Sequence, residues 1–145
     1  MSNVTPIIPP EVDVWDDTPD GVQDLVLIPP GDYPVIYLNH HFGRAFGAHK
    51  ANANCEITQG EFAGTKLTCP YNVRCDNSRH YSPPLSPNSY YRIDMKAITG
   101  NPRANLDSLR KFELIATVIT VRRDSKGCSK RLEDQYSRIL RLRKA

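Results

Sequence analysis

The sequence predicts a mainly β domain: an OB-fold-like five-stranded antiparallel barrel with one short helix between strands 3 and 4. Three observations predict it. Five separate runs have strand character. Glycine- and proline-containing segments punctuate them. One run of helical spacing falls between the third and fourth. A chain of 145 residues, 39% hydrophobic, suits one domain with a modest core and an arm. The division is an acidic, proline-rich arm over residues 1–28 and a folded domain over 29–145.

The first strand lies in "PPGDYPVIYLNH", where Gly31 and Asp32 suit a turn and Tyr33, Val35 and Tyr37 alternate onto one face. Pro34 favours an edge or an early position in the strand. "NANCEIT" and "GTKLTCPYNV" are the second and third strands, and "QGEFAG", with a glycine at each end, reads as their hairpin connection. "RCDNSRHYSPPLSPNS" is a polar loop. In "SPNSYYRIDMKAITGNP", Ser86 suits a helix cap and Pro87 its first turn. Tyr90, Ile93 and Ala97 share a helical face, and Gly100 with Pro102 stops the helix. "RKFELIATVITVRRDSKG" is the clearest strand. Phe112, Leu114, Ala116 and Val118 line one face; Ile115, Ile119 and Val121 make the other apolar, so part of the strand is expected to be covered on both sides. "QYSRILRLRKA" mixes arginine with leucine on both parities, which suits an edge strand or a short helix.

Charge is distributed unevenly. Residues 1–32 hold seven acids and no lysine or arginine; residues 33–145 hold nine acids and nineteen bases. A basic body implies an anionic partner such as nucleic acid. The arm's proline residues disfavour helix, and its charge is suited to compete with nucleic acid for the basic face. No basic start leads into an apolar run and no apolar stretch approaches a membrane span, so the expected setting is cytoplasmic, without membrane partners. Cys55, Cys69, Cys75 and Cys128 form no CxxC pair; Cys69, Cys75 and His80 lack the short spacing of a zinc site, so reduced thiols and no cofactor are expected.

Two longer stretches, "PPGDYPVIYL…EITQGEFAGTKLTCPYNV" and "LRKFELIATVITVRRDSKGCSKRLEDQYSRILRL", resemble phage and mobile-element OB-like replication accessory proteins. Those proteins begin with a G-x-Y strand, carry "G-x-x-x-G-x-x-L" between strands, and close through a charged turn into a "YS"-containing strand. The resemblance covers roughly residues 29–142. It implies binding of single-stranded DNA in replication or recombination, beside a helicase, primase or recombinase. One departure is the acidic segment, which lies at the N-terminus here and at the C-terminus in typical bacterial single-stranded DNA-binding proteins.

The residues themselves point the same way. "NHHFGRAFG" mixes aromatics, glycine and positive charge. On a single strand of nucleic acid, exposed rings stack on bases and cations meet phosphates. Read as a loop, this stretch would turn Phe42 and Phe46 outward, with Arg44 and Lys50 for phosphate; in the alternative, the two rings fill the interior. His40, His41 and His49 add charge only when protonated. Tyr71, Arg74, Arg79, His80 and Tyr81 form a second mixed cluster. Tyr71, Arg74 and Tyr81 are its candidate contacts. Arg122, Arg123 and Lys126 start a basic stripe around the later turn.

Catalysis finds little support: GxxxxGK[ST], HExxH and GxSxG are all absent. Asp94, Asp107, Asp124 and His80 could be gathered into a nuclease site, but their spacing does not require it. The expected function is non-enzymatic binding of single-stranded DNA with low sequence specificity, in a homo-oligomer. The alternative is a protein-interaction or inhibitor module of a mobile element, docking through its acidic arm.

Overall fold

The computed structural model describes residues 14–15, 25–45, 48–78, 80–123 and 128–145. Its strands are β1 (Val14–Trp15), β2 (Gly31–Ala45), β3 (Ala48–Ile57), β4 (Lys66–Asn72), β5 (Arg74–Cys75), β6 (Tyr81–Ser82), β7 (Leu114–Arg123) and β8 (Tyr136–Lys144). One α-helix, α1 (Tyr90–Thr99), and a 3-10 segment, Leu106–Lys111, separate β6 from β7.

The main sheet runs β4-β3-β2-β7, with β8 on the other side of β7 and the two residues of β1 continuing the β2 side in parallel. The five long strands and the helix come in the expected chain order. The expected barrel does not: the sheet is open. Among the described residues no ladder joins β4 to β8. The two edges approach each other without pairing, and helix α1 packs on both. Its Asp94 carboxylate accepts from Tyr71 Oη of β4 at 2.7 Å, from Arg141 Nε of β8 at 2.8 Å, and from Arg141 Nη2. The backbone N–H of Leu142 also points at it, at 3.4 Å. A carboxylate from the helix thus does what backbone pairing would do in a closed barrel.

Two bulges set the side-chain parity. β2 and β3 pair Tyr37 with Cys55 and then Asn39 with Asn54, so Leu38 is an extra residue. Its carbonyl accepts from Arg110 Nη2 at 3.0 Å. On β8, Leu140 is the extra residue, and its carbonyl faces Cys69 Sγ at 3.9 Å. After the first bulge, even-numbered residues of β2 face the core side.

The core joins Val35 and Tyr37 of β2, Ala51, Ala53, Cys55 and Ile57 of β3, Leu67, Cys69 and Tyr71 of β4, and Leu114, Ala116 and Val118 of β7. Tyr91, Met95 and Ile98 of α1 cover them. The helical face inferred from Tyr90, Ile93 and Ala97 is the exposed one. The helix also starts later than expected. Its cap is Ser89, whose Oγ accepts from Arg92 N at 3.3 Å. Gly100 ends it as expected, with φ +86°. Ile119 and Val121 are buried, so β7 is covered on both faces. Ile28, on the arm side of the expected boundary, belongs to the core; Ser137 Oγ bonds both its N–H and its carbonyl. Among the described residues no helix is long and apolar enough to cross a membrane.

Candidate functional site

The stretch expected as a loop is strand. Residues Asn39–Ala45 pair with Ala48–Asn54 in one continuous hairpin. Phe42 stands opposite Ala51 and therefore on the core-facing side. It lies near the hairpin end, and 42% of it stays exposed.

Tyr81 meets it there. The two rings stack with centroids 3.9 Å apart and planes 8° from parallel. His40 stands edge-on to Phe42 at 5.4 Å, and His49 edge-on to Tyr81 at 5.8 Å. Phe42, Tyr81, His40, Tyr91, Arg103 and Leu106 bound a hollow of about 140 Å³. Stacked and edge-on aromatic pairs are worth roughly 1 kcal/mol beyond the area they bury. This arrangement is consequently held, with Phe42 still partly exposed.

Two supports orient it. Tyr81 pairs with Cys75 in the β5–β6 hairpin. Arg74 Nε donates to Pro83 O at 2.8 Å, and the Asp76 carboxylate accepts from the backbone N–H groups of Ser78 and His80 at 2.8 and 2.9 Å. The bond from His80 N leads the effects that lower the Asp76 pKa. On the other side, Tyr37 Oη lies 2.9 Å from Asp107 Oδ1 and 2.5 Å from His40 Nδ1. Tyr37 has one hydroxyl proton. Donated to Asp107, it leaves the oxygen to accept from His40 Nδ1–H, so Nε2 of a neutral His40 is an acceptor. Burial, reinforced by Asp107, pushes the Tyr37 pKa up and keeps that proton in place. Arg110 closes the support, 3.1 Å from Asp107 and over the Tyr37 ring at 5.2 Å.

The expected site residues divide. Phe42 and Tyr81 come together, with Arg74 in the clip that holds Tyr81. Arg44 is exposed two residues further along β2. Tyr71 does not join them: it is 2% exposed, and its hydroxyl is committed to Asp94. Lys50 alternates away from the core and is buried. Arg122 borders a different hollow, with Leu27 and Thr120. Arg123 lies on β7, with its side chain outside the described residues, as are Phe46, Arg79 and Lys126. Among the described residues no three metal-ligating side chains gather, and Cys69 faces the core away from Cys75 and His80.

Arg103 is the site residue that the sequence reading missed. Asn101 Oδ1 accepts from Arg103 N at 3.0 Å, an Asx turn that sets Arg103 on the rim. The signal was "NPRAN", a turn-forming asparagine and proline ahead of a lone arginine.

No family model, no curated protein and no solved structure matches the chain. The resemblance to phage and mobile-element replication accessory proteins is thereby corrected. Gly31, Gly60 and Gly64, on which its motifs depend, are strand-start and turn residues. Such residues recur in antiparallel hairpins of many kinds.

Proposed function

We propose that the chain binds single-stranded DNA without catalysis and with little sequence preference. The observation that carries this reading is the Phe42–Tyr81 stack, with Phe42 42% exposed and Arg103 lining the same hollow. Every base has a π face, so a ring platform accepts any of them, and a neighbouring guanidinium meets the phosphate. His40 Nε2, as an acceptor, adds at most a mild preference for a base with an exposed amino group. Cys55, Cys69 and Cys75 are free thiols, which suits a reducing, cytoplasmic setting.

The test is fluorescence anisotropy with labelled single- and double-stranded DNA of equal length across a salt series. Single-strand preference that weakens as salt rises supports the reading. Absence of binding at low salt rejects it and leaves the protein-interaction alternative, which a search for a tight protein complex would then address. Light scattering with and without DNA reads out the proposed self-association.

A further inference from the structure

The hollow beside the aromatic stack is more selective than the stack itself. The Phe42 and Tyr81 rings, 3.9 Å apart, leave no room for a base between them. The hollow that they help to line can admit one. Ala51, Tyr91 and Leu106 are buried and make its floor, while Phe42 and Arg103 are exposed and belong to its rim.

Size is the first constraint. The space measures about 140 Å³. An apolar protein cavity of about 150 Å³ takes benzene, a single six-membered ring. A pyrimidine is one six-membered ring, and a purine fuses a second ring to it. A hollow of this volume suits the first and is overfilled by the second.

Polarity is the second constraint. Tyr91 Oη donates to Ala104 O at 2.7 Å, and Asn105 Oδ1 accepts from Asp107 N at 2.9 Å, so these two oxygens are engaged within the chain. His40 and Arg103 differ. His40 Nδ1 faces Tyr37 Oη, which leaves Nε2 of the neutral ring as an acceptor. The Arg103 guanidinium brings donors only. Each pyrimidine has a matching edge: an N–H donor, at N4 of cytosine or N3 of thymine, beside a ring-nitrogen or carbonyl acceptor. Among the described residues no carboxylate lines the hollow, so no anion there opposes the phosphate of an entering nucleotide.

We propose that this hollow receives one pyrimidine base of a bound strand and excludes purines. The site rests on the single-stranded DNA reading and adds to it: the ring platform accepts any base, whereas this one position reads ring size.

The full chain is tested against a short labelled strand of abasic residues that carries one central thymine, cytosine, adenine or no base, with an ordinary mixed-sequence strand alongside. The abasic backbone keeps the phosphates and removes stacking within the strand. Fluorescence anisotropy at low salt should show about tenfold tighter binding with thymine or cytosine than with no base, and no such gain with adenine. Ala104→Leu, which fills the hollow, should cancel the gain. Leu106→Ala, which enlarges it, should extend the gain to adenine. If the mixed-sequence strand binds but all three bases give an equal gain, or none does, the size-reading hollow is overturned and the DNA reading stands. A gain that survives Ala104→Leu, or adenine still excluded by Leu106→Ala, also overturns it. Absence of binding by the mixed-sequence strand overturns the DNA reading, and this site with it.

Discussion

Tyr71 and Tyr81 are near neighbours in the chain and end in opposite environments. Tyr71 is sealed in the core with its hydroxyl on Asp94, inside a network that links β4, α1 and β8. Tyr81 lies at the hairpin end with its ring face on Phe42, beside a hollow. The first tyrosine is consumed by its polar partner; the second is offered by its ring. The difference teaches that a mixed aromatic and basic cluster in sequence carries no functional meaning until its hydroxyl and guanidinium partners are known. Arg141, on Asp94 and over the Tyr90 ring at 4.2 Å, serves structure, whereas Arg103 stands on an open rim.

The contrast can be broken most severely at Asp94. Asp94→Ala removes the acceptor of Tyr71 and Arg141 at once and should cost about 3–5 kcal/mol, read by urea unfolding. A loss below about 1 kcal/mol would mean that α1 does not staple the open edges.

At the other end, Phe42→Ala should weaken single-strand binding by roughly 1–3 kcal/mol while leaving its salt slope unchanged. Stability should fall by only about 1 kcal/mol, because the ring is half exposed. A collapse of thermal stability would place Phe42 with Tyr71 as a core residue.

Alkaline titration sharpens the comparison further. Burial raises the Tyr91 pKa from 10.0 to about 12, and it raises that of Tyr71 as well. Above pH 10 the unfolded chain releases these protons while the folded chain retains them. Their stabilising contribution is therefore complete below pH 10 and is lost as pH rises toward 12. Within that window Tyr91→Phe should flatten the fall in stability by about 1.4 kcal/mol per pH unit. An unchanged slope would show that Tyr91 ionises as readily folded as unfolded.

The smallest effect is at the helix end. Gly100→Ala meets no neighbouring atom within 4 Å, but φ +86° strains any side chain, so a loss of about 1 kcal/mol is expected in thermal unfolding.

Much of the fold was legible. Alternation in "KLTCPYN" and "LIATVITVRR" marked β4 and β7, and Gly100 marked the end of α1. The helix start was misread because Ser86 and Ser89 are both competent caps, and only Ser89 receives the Arg92 N–H. The helical face was misread because Asp94, a charged residue, is on the buried side, where Tyr71 and Arg141 satisfy it. Of the site, Phe42 and Tyr81 were legible as aromatics among cations, but their meeting was not.

By itself the sequence determined the mainly β character, the order of the five long strands and helix, and the contrast between an acidic first segment and a basic remainder. Each of these follows from local side-chain periodicity, turn chemistry or charge counting. The tertiary structure alone decided that the sheet stays open, that Leu38 and Leu140 bulge, and that Phe42 consequently turns toward Tyr81 rather than away. These outcomes depend on contacts between residues distant in the chain: the Arg110 guanidinium on the Leu38 carbonyl, and the Asp94 carboxylate between two strand edges. One inserted residue reverses the facing of everything beyond it, and no local pattern records where that insertion falls.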